Sequence, residues 1–395
     1  MVVSDVVIQI LSKLPPQSLL RFKSVCKSWY HLINHPKFVR KHLLDSFPHK
    51  HVLIKRALTN HSGKQELVFS ILKFSLNGSV SIMDINLTFQ EIDPLLELCG
   101  HSHGLVCLSD CDEVFLVNPM TRQFHKLPPS ILIFRGCHHD DPDHYSAIPF
   151  TIGFGYDAKS SDFKVVRIVS CRGQSEARMR VEIYDLSRDK WREIGAPEIC
   201  GSAACTCTFD MYHEGIFYWW GYGEPRISER DHIITFDMSE EIFGKVSLPE
   251  SYDDKKHKIV LRVLNKSIVL FVYPYKSNET NIGIFETIVG TDETNIDIWE
   301  MEKDEFGVVS WSKLLTIDPP FGVEHPLLFV SCEEMLMESS EGHVIMYNNK
   351  TQQFKKLPIE GDVTYVKPHR FEAHDLFIKS LVSVEGGKDI INYDF

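Results

Sequence analysis

The sequence predicts a mainly β protein that carries a small α-helical module at its N-terminus. Apolar residues follow a helical period up to about residue 45 and a two-residue period from about residue 50. Beyond that point, short runs rich in Val, Ile, Phe and Tyr alternate with Gly, Asn, Asp, Ser and Pro clusters, the pattern of a many-stranded antiparallel fold. One short pattern also recurs through the β part, and this is the mark of a repeat architecture.

In the helical part, Val6, Val7, Ile10, Leu11 and Leu14 recur at helical spacing and give one apolar face, with Ser4 placed as the N-cap. Leu14-Pro15-Pro16 ends that helix, because proline pushes the residue before it out of the α region. Pro16 suits the first turn of a second helix, where its missing N–H costs nothing. That helix turns Leu19, Leu20, Phe22, Val25 and Cys26 towards a core, and Trp29, Leu32 and Ile33 continue the pattern to Asn34-His35-Pro36. Phe38, Val39 and Leu43 belong to a short last helix. So small a bundle buries little surface alone and gains stability by packing on something else. It either caps the following domain or presents a docking face; its apolar positions exceed what it can hide, which favours docking.

The order LP-x3-LL-R-x3-VC-x2-W, read at Leu14-Pro15, Leu19-Leu20-Arg21, Val25-Cys26 and Trp29, resembles the F-box. That module clips substrate receptors to the Skp-type adaptor of cullin RING ubiquitin ligases. Val3-Ser4 departs from the further Leu-Pro with which many F-boxes open. The resemblance implies that Leu14, Pro15, Leu19, Leu20, Val25, Cys26, Trp29 and Leu32 are adaptor-facing or F-box-core positions. Sequence alone does not separate those two roles.

Strands are expected at 67–74, 105–108, 114–117, 164–169, 216–220, 268–273 and 344–347. The repeat is carried by Asn118, Asp185, Asp237 and Asn348, each closing a strand. Six residues on stand Phe124, Trp191, Phe243 and Phe354; nine on stand Leu127, Ile194, Val246 and Leu357. Asn and Asp suit that turn because their side chains bond nearby backbone and tolerate the left-handed region. A fifth, longer-looped copy fits 296–301 with Trp311 and Leu314, and Leu-Pro follows at 127–128, 248–249 and 357–358. The aromatic anchors at 124, 191, 243, 311 and 354 scatter around the ~50-residue period of kelch-like blades. With strands from 51–90 and 371–384, the expected fold is a kelch-like β-propeller of about six blades, preceded by the helical F-box. The C-terminal strands would complete the blade that the N-terminal strands begin, and closing the ring protects the sheet edges. The domains are then 1–45 and 50–395. A β-sandwich explains the strands but not their shared offsets.

The blocks at 103–130, 153–169, 181–194 and 232–249 resemble the plant F-box-associated domain. Residues 5–33, 296–301 and 371–384 are similar to S-locus F-box proteins of the S-RNase self-incompatibility system, although other relatives share these blocks. The resemblance implies a non-catalytic receptor subunit of an SCF complex, assembled with a Skp-type adaptor, a cullin and a RING subunit. Its target would be a basic S-RNase in the pollen-tube cytoplasm, or else an unrelated plant protein.

Charge agrees with a basic partner. The 395-residue chain is at −12, and residues 1–45 carry seven Lys/Arg against two Asp, so the body is at −17. Nucleic acid is excluded as a partner, since its phosphates need neutralising by Lys and Arg; acidity steers basic proteins or simply aids solubility. No run of ~18 apolar residues predicts a membrane span, and no apolar signal core opens the chain. Ten scattered cysteines read as reduced, packable thiols of a cytoplasmic protein.

Candidate chemistry is sparse. Residues 137–144 (CHHDDPDH) hold every usual zinc-ligand type, but no helix or knuckle fixes a geometry, and an exposed contact loop is the better reading. Cys200, Cys205 and Cys207 are not a CxxC pair, and Cys107 and Cys111 flank a turn; packing explains both groups. Within Tyr218-Trp219-Trp220 alternate rings must face opposite sides, so at least one is core and another lines a channel or binding face. The acidic run Asp292, Glu293, Asp297, Glu300, Glu302, Asp304 and Glu305 is a solvated edge or a patch for a basic ligand. Gly153-Phe154-Gly155 does not continue into a phosphate-binding pattern, and no GxSxG, HExxH or Walker motif occurs. No catalytic residue, metal or cofactor is therefore expected. An enzyme built on the 137–144 loop is the competing reading.

Overall fold

In the computed structural model the described residues run from 5 to 384, apart from 47–50, 60–62, 64, 75–79, 88–95, 110–112, 133–145, 173–176, 197–210, 223–229, 254–255, 276–294, 305–306, 320–322, 340, 342 and 360–371. Four helices lead: α1 (Asp5–Leu11), α2 (Pro16–Phe22), α3 (Lys27–Asn34) and α4 (Pro36–Ser46). Pro16 occupies the first turn of α2, and the expected N-cap Ser4 lies outside the described residues.

Strands follow in six four-stranded antiparallel sheets, the blades of a propeller. The first blade takes β1 (His51–Thr59), β2 (Gln65–Phe74) and β3 (Val80–Leu87). The second holds β4 (Glu97–Ser102), β5 (Leu105–Ser109), β6 (Val114–Asn118) and β7 (Gln123–Lys126). The third holds β8 (Ser146–Asp157), β9 (Asp162–Arg172), β10 (Ala177–Asp185) and β11 (Lys190–Ile194). In the fourth are β12 (Met211–His213), β13 (Ile216–Tyr222), β14 (Arg230–Asp237) and β15 (Ile242–Ser247). The fifth has β16 (His257–Leu264), β17 (Ser267–Pro274), β18 (Ile296–Lys303) and β19 (Val309–Ile317). The sixth has β20 (Val323–Phe329), β21 (Glu334–Ser339), β22 (Val344–Asn348) and β23 (Gln353–Lys356). The last strand among the described residues, β24 (Glu372–Phe377), returns to pair with β1, with His51 opposite Phe377. The ring is closed by its two ends, as the sequence predicts.

The repeat is the hairpin between the third and fourth strands of a blade. Oδ1 of Asn118 accepts the N–H groups of Met120 and Thr121 at 2.9 and 3.2 Å, and Asp237 and Asn348 do the same two and three residues on. The left-handed residue is not the Asn or Asp itself. It stands four residues later, at Arg122, Asp189, Glu241 and Gln352, with φ of 57, 49, 57 and 56°. The carboxamide or carboxylate winds the turn, and the reversal falls at its exit. The longer fifth copy uses Gly307 instead, φ 81°.

Aromatic anchors then tie a blade to its predecessor. Trp191 Nε1 donates to the Pro128 carbonyl and Trp311 Nε1 to that of Ser247, both at 2.7 Å. Phe354 departs from this, being 57% exposed.

The core is six apolar wedges, one between each pair of blades. A blade's inner strands are therefore covered on both faces, and β5 and β6 are buried at every residue. Strict alternation is lost there and survives nearer the edges, as in β4. The wedge between the second and third blades differs from the rest. Its buried residues include Leu11, Leu19, Ile33, Phe38 and Val39 from the helices. The helical module is packed onto the propeller.

Candidate docking site on the helical module

Two helical turns cannot bury an apolar stripe as wide as that of α1. Leu11 is buried and Val7 and Ile8 are half-buried, whereas Val6 and Ile10 are 61% and 58% exposed. These two are one turn apart and share the outer side. The expectation that the five apolar positions form one face is corrected accordingly: they divide between an inner and an outer side.

A second correction concerns the next stretch. No continuous helix runs from Pro16 to Asn34; α2 stops at Phe22 and α3 starts at Lys27. The N–H groups of Ser24 and Val25 close back on Arg21 and Phe22, and the Ser24 hydroxyl donates to the Arg21 carbonyl at 2.7 Å. Those bonds satisfy the end of α2 and divert the chain. Cys26 is then extended, at φ −161° and ψ 160°, as the residue that opens α3. Val25 is 61% exposed and Cys26 is exposed, so neither faces a core. The break brings Phe22 and Trp29 together, with ring centroids 5.5 Å apart.

The eight sequence-derived positions sort by burial. Leu19 is fully buried; Leu14, Leu20, Trp29 and Leu32 are half-buried; Pro15, Val25 and Cys26 are exposed. Tyr30 on α3, 50% exposed, joins the outer set and is absent from the sequence-derived positions, as are Val6 and Ile10. Their only signal was an excess of apolar residues over what the module can enclose. The Cys26 thiol lies 3.1 Å from the Ser28 hydroxyl, which together with the Trp29 N–H holds it below its ordinary pKa.

Behind this surface, His42 Nε2 meets the Leu14 carbonyl at 2.9 Å and stacks on Phe38. Burial pulls its pKa below the ordinary 6.5, although Leu14 and Asp45 act in the opposite direction. A lowered folded-state pKa gives stability that is present above the unfolded value and lost on acidification. The module is thus expected to lose stability as pH falls below about 6.5, and His42→Gln to flatten that slope in thermal melts between pH 7 and 5.

Residues 65–384 match the model of the F-box associated beta propeller domain, and residues 3–41 match the F-box domain. The chain belongs to the F-box-associated β-propeller family. F-box protein CPR1 of Arabidopsis thaliana is 27% identical over 413 residues, covering 96% of this chain and 88% of that one. F-box/kelch-repeat protein At3g23880, also of Arabidopsis thaliana, is 26% identical over 387 residues, with 95% and 93% covered. Among solved structures, an oligogalacturonate lyase from Vibrio parahaemolyticus aligns over 79% of this chain and 81% of that one at 10% identity. Its TM-score of 0.41 is too low to bear on activity.

The other sequence candidates of this F-box-associated propeller form no second site among the described residues. The 137–144 loop, Cys111, Cys200, Cys205, Cys207, Asp292, Glu293 and Glu305 lie outside the described residues. Cys107 is fully buried, as expected of a packed thiol. Tyr218, Trp219 and Trp220 are all core: Trp219 faces the third blade, the other two the fifth, and none lines a channel. A blade covered on both faces leaves no free side for them. Gly153 and Gly155 serve packing, since a Cβ would stand 2.5 Å from the Trp219 ring and 2.3 Å from that of Tyr212. In the acidic run, Asp297 pairs with Lys313 at 2.8 Å and Glu302 accepts the Ser312 hydroxyl at 2.6 Å. Among the described residues, no helix is long and apolar enough to cross a membrane.

Proposed function

We propose that this F-box protein is the target-recognition subunit of an SCF-type cullin RING ubiquitin ligase, its helices docking a Skp-type adaptor while the propeller holds the target. The observation that carries the reading is the set Val6, Ile10, Val25 and Tyr30, large apolar side chains left outside while Leu11, Leu19, Ile33, Phe38 and Val39 pack on the ring. The receptor acts by proximity and does no bond chemistry itself. Holding target and charged ubiquitin carrier in one assembly turns a bimolecular encounter into an intramolecular one at high effective concentration.

A pull-down with purified Skp-type adaptor tests the docking face. Ile10→Asp/Val25→Asp is expected to weaken binding by at least about thirtyfold, about 2 kcal/mol, with an unchanged melt because both residues point outward. Equal retention of wild type and double variant would discard the reading. Leu19→Asp is no substitute, since Leu19 is core.

The target is a basic protein, and the S-locus resemblance narrows it to a basic S-RNase met in the pollen-tube cytoplasm. The body's charge of −17 supports this, because complementary charge raises encounter rates and suppresses wrong partners. Binding to a basic S-RNase should fall steeply between 50 and 500 mM salt, roughly in line with Debye screening. Equal affinity for an acidic ribonuclease, or no salt response, would rule out this choice of target and leave the adaptor site standing.

A further inference from the structure

We propose that residues 378–384, which follow the ring-closing strand, act as a clasp that sets the angle between the F-box and the propeller. Segments outside helices and strands ordinarily run over the protein surface. This one does not: Ile378, Ser380, Leu381, Val382 and Val384 are all buried although none belongs to a strand.

Polar contacts hold its backbone to the second blade. Asn118 is fully buried; its Oδ1 serves the hairpin turn, and its Nδ2 donates to the carbonyls of Ser380 and Val382 at 3.2 and 2.7 Å. Asp185 and Asp237 fill the same repeat position in the third and fourth blades and have no such donor. The amide at 118 is thus a second use of a turn residue. The Val382 N–H closes on the Ser380 hydroxyl at 3.2 Å, bending the segment over the ring.

The turn between β4 and β5 is shaped to receive it. A Cβ on Gly104 would stand 2.5 Å from both the Ile378 carbonyl oxygen and the Ser380 Oγ. Gly215 holds the same place in the fourth blade, with φ +87° against +83°, and has nothing within 4 Å. Backbone conformation accounts for either glycine; only the clasp accounts for the contact at Gly104.

Apolar contacts then carry the clasp to the helices. Leu381, Val382 and Val384 share one cluster with Leu11, Leu19, Ile33, Phe38 and Val39. Of the six wedges this is the one that contains helical residues and the one that contains 381–384. Among the described residues a hydrogen bond also joins the helices to the first blade, from Gln17 Nε2 to Met83 Sδ at 3.2 Å, and it is weak. Blade residues such as Leu116, Leu127 and Trp191 belong to the same cluster, so the clasp adds to that packing, and its polar ties to the second blade give the apolar contact a fixed orientation. Its consequence for ubiquitin transfer rests on the receptor reading above; the clasp itself does not.

The test uses the 395-residue chain, with tryptic cleavage at Lys41 on α4 and small-angle scattering as readouts. Asn118→Asp keeps the turn acceptor and loses both donors, and Gly104→Ala is compared with Gly215→Ala, which carries the same backbone strain. Asn118→Asp and Gly104→Ala are expected to speed cleavage at least about tenfold and broaden the scattering distance distribution. Gly215→Ala should do neither, and adaptor binding should be retained throughout. Unchanged cleavage and scattering in Asn118→Asp and Gly104→Ala would overturn the proposal, as would an equal response from Gly215→Ala. Loss of adaptor binding by the wild type would sink the receptor reading and leave these readouts intact.

Discussion

Replacing Glu182 with alanine is expected to destabilise the propeller by about 3–5 kcal/mol, the cost of leaving a buried charge without its partner. Glu182 and Arg167 are 0% and 1% exposed, on the neighbouring strands β10 and β9, with Nη1 and Oε1 3.2 Å apart. Glu182 also accepts the Ser130 hydroxyl at 2.7 Å and the Ile131 N–H at 3.1 Å, so it holds the chain that leaves the second blade against the third. The Arg167 guanidinium lies over the Trp191 ring at 4.8 Å, and burial already pulls its pKa down. Without the carboxylate it keeps its charge in a place that solvates it poorly. The double change Arg167→Met/Glu182→Leu should recover most of the loss, because a packed apolar pair often equals a buried ion pair. Urea midpoints decide between them. A single variant as stable as wild type would show that the pair contributes nothing.

Trp219→Ala should cost a comparable amount, about 3–5 kcal/mol, through the cavity it leaves between the third and fourth blades. The ring packs with Phe217, Phe236 and Phe243, and its N–H reaches the Ile152 carbonyl at 3.3 Å. The third blade has no side chain at Gly153 to meet it. Gly153→Ala therefore overpacks the same wedge and should cost about 1–3 kcal/mol. The opposed errors predict coupling: Gly153→Ala/Trp219→Phe should be more stable than the two single losses added together. Strict additivity in chemical unfolding would mean that the wedge relaxes around either change.

Much of the architecture was readable from local chemistry. Asn118, Asp237 and Asn348 announce turns because their side chains bond backbone N–H groups within three residues, and a repeat of such turns implies repeated sheets. The F-box motif was readable for the same reason, its proline breaking the chain where it stands. The errors arose where burial depends on distant neighbours. Val25 and Cys26 fit a helical period and still sit outside, because Ser24 ends α2 early. Phe354 repeats the anchor pattern and remains exposed, whereas Trp191 reaches a carbonyl in the preceding blade.

The sequence by itself determined the helical module at the front, the blade repeat and the count of about six blades, since each follows from period, turn residues and offsets within a few dozen residues. Only the tertiary structure decided which apolar residues of the F-box remain outside, that all three rings of Tyr218-Trp219-Trp220 are core, and that residues 381–384 are buried in one cluster with the helices. The physical reason is that a blade covered on both faces needs apolar residues at almost every position. Composition then no longer tells an interior side chain from one kept free for a partner.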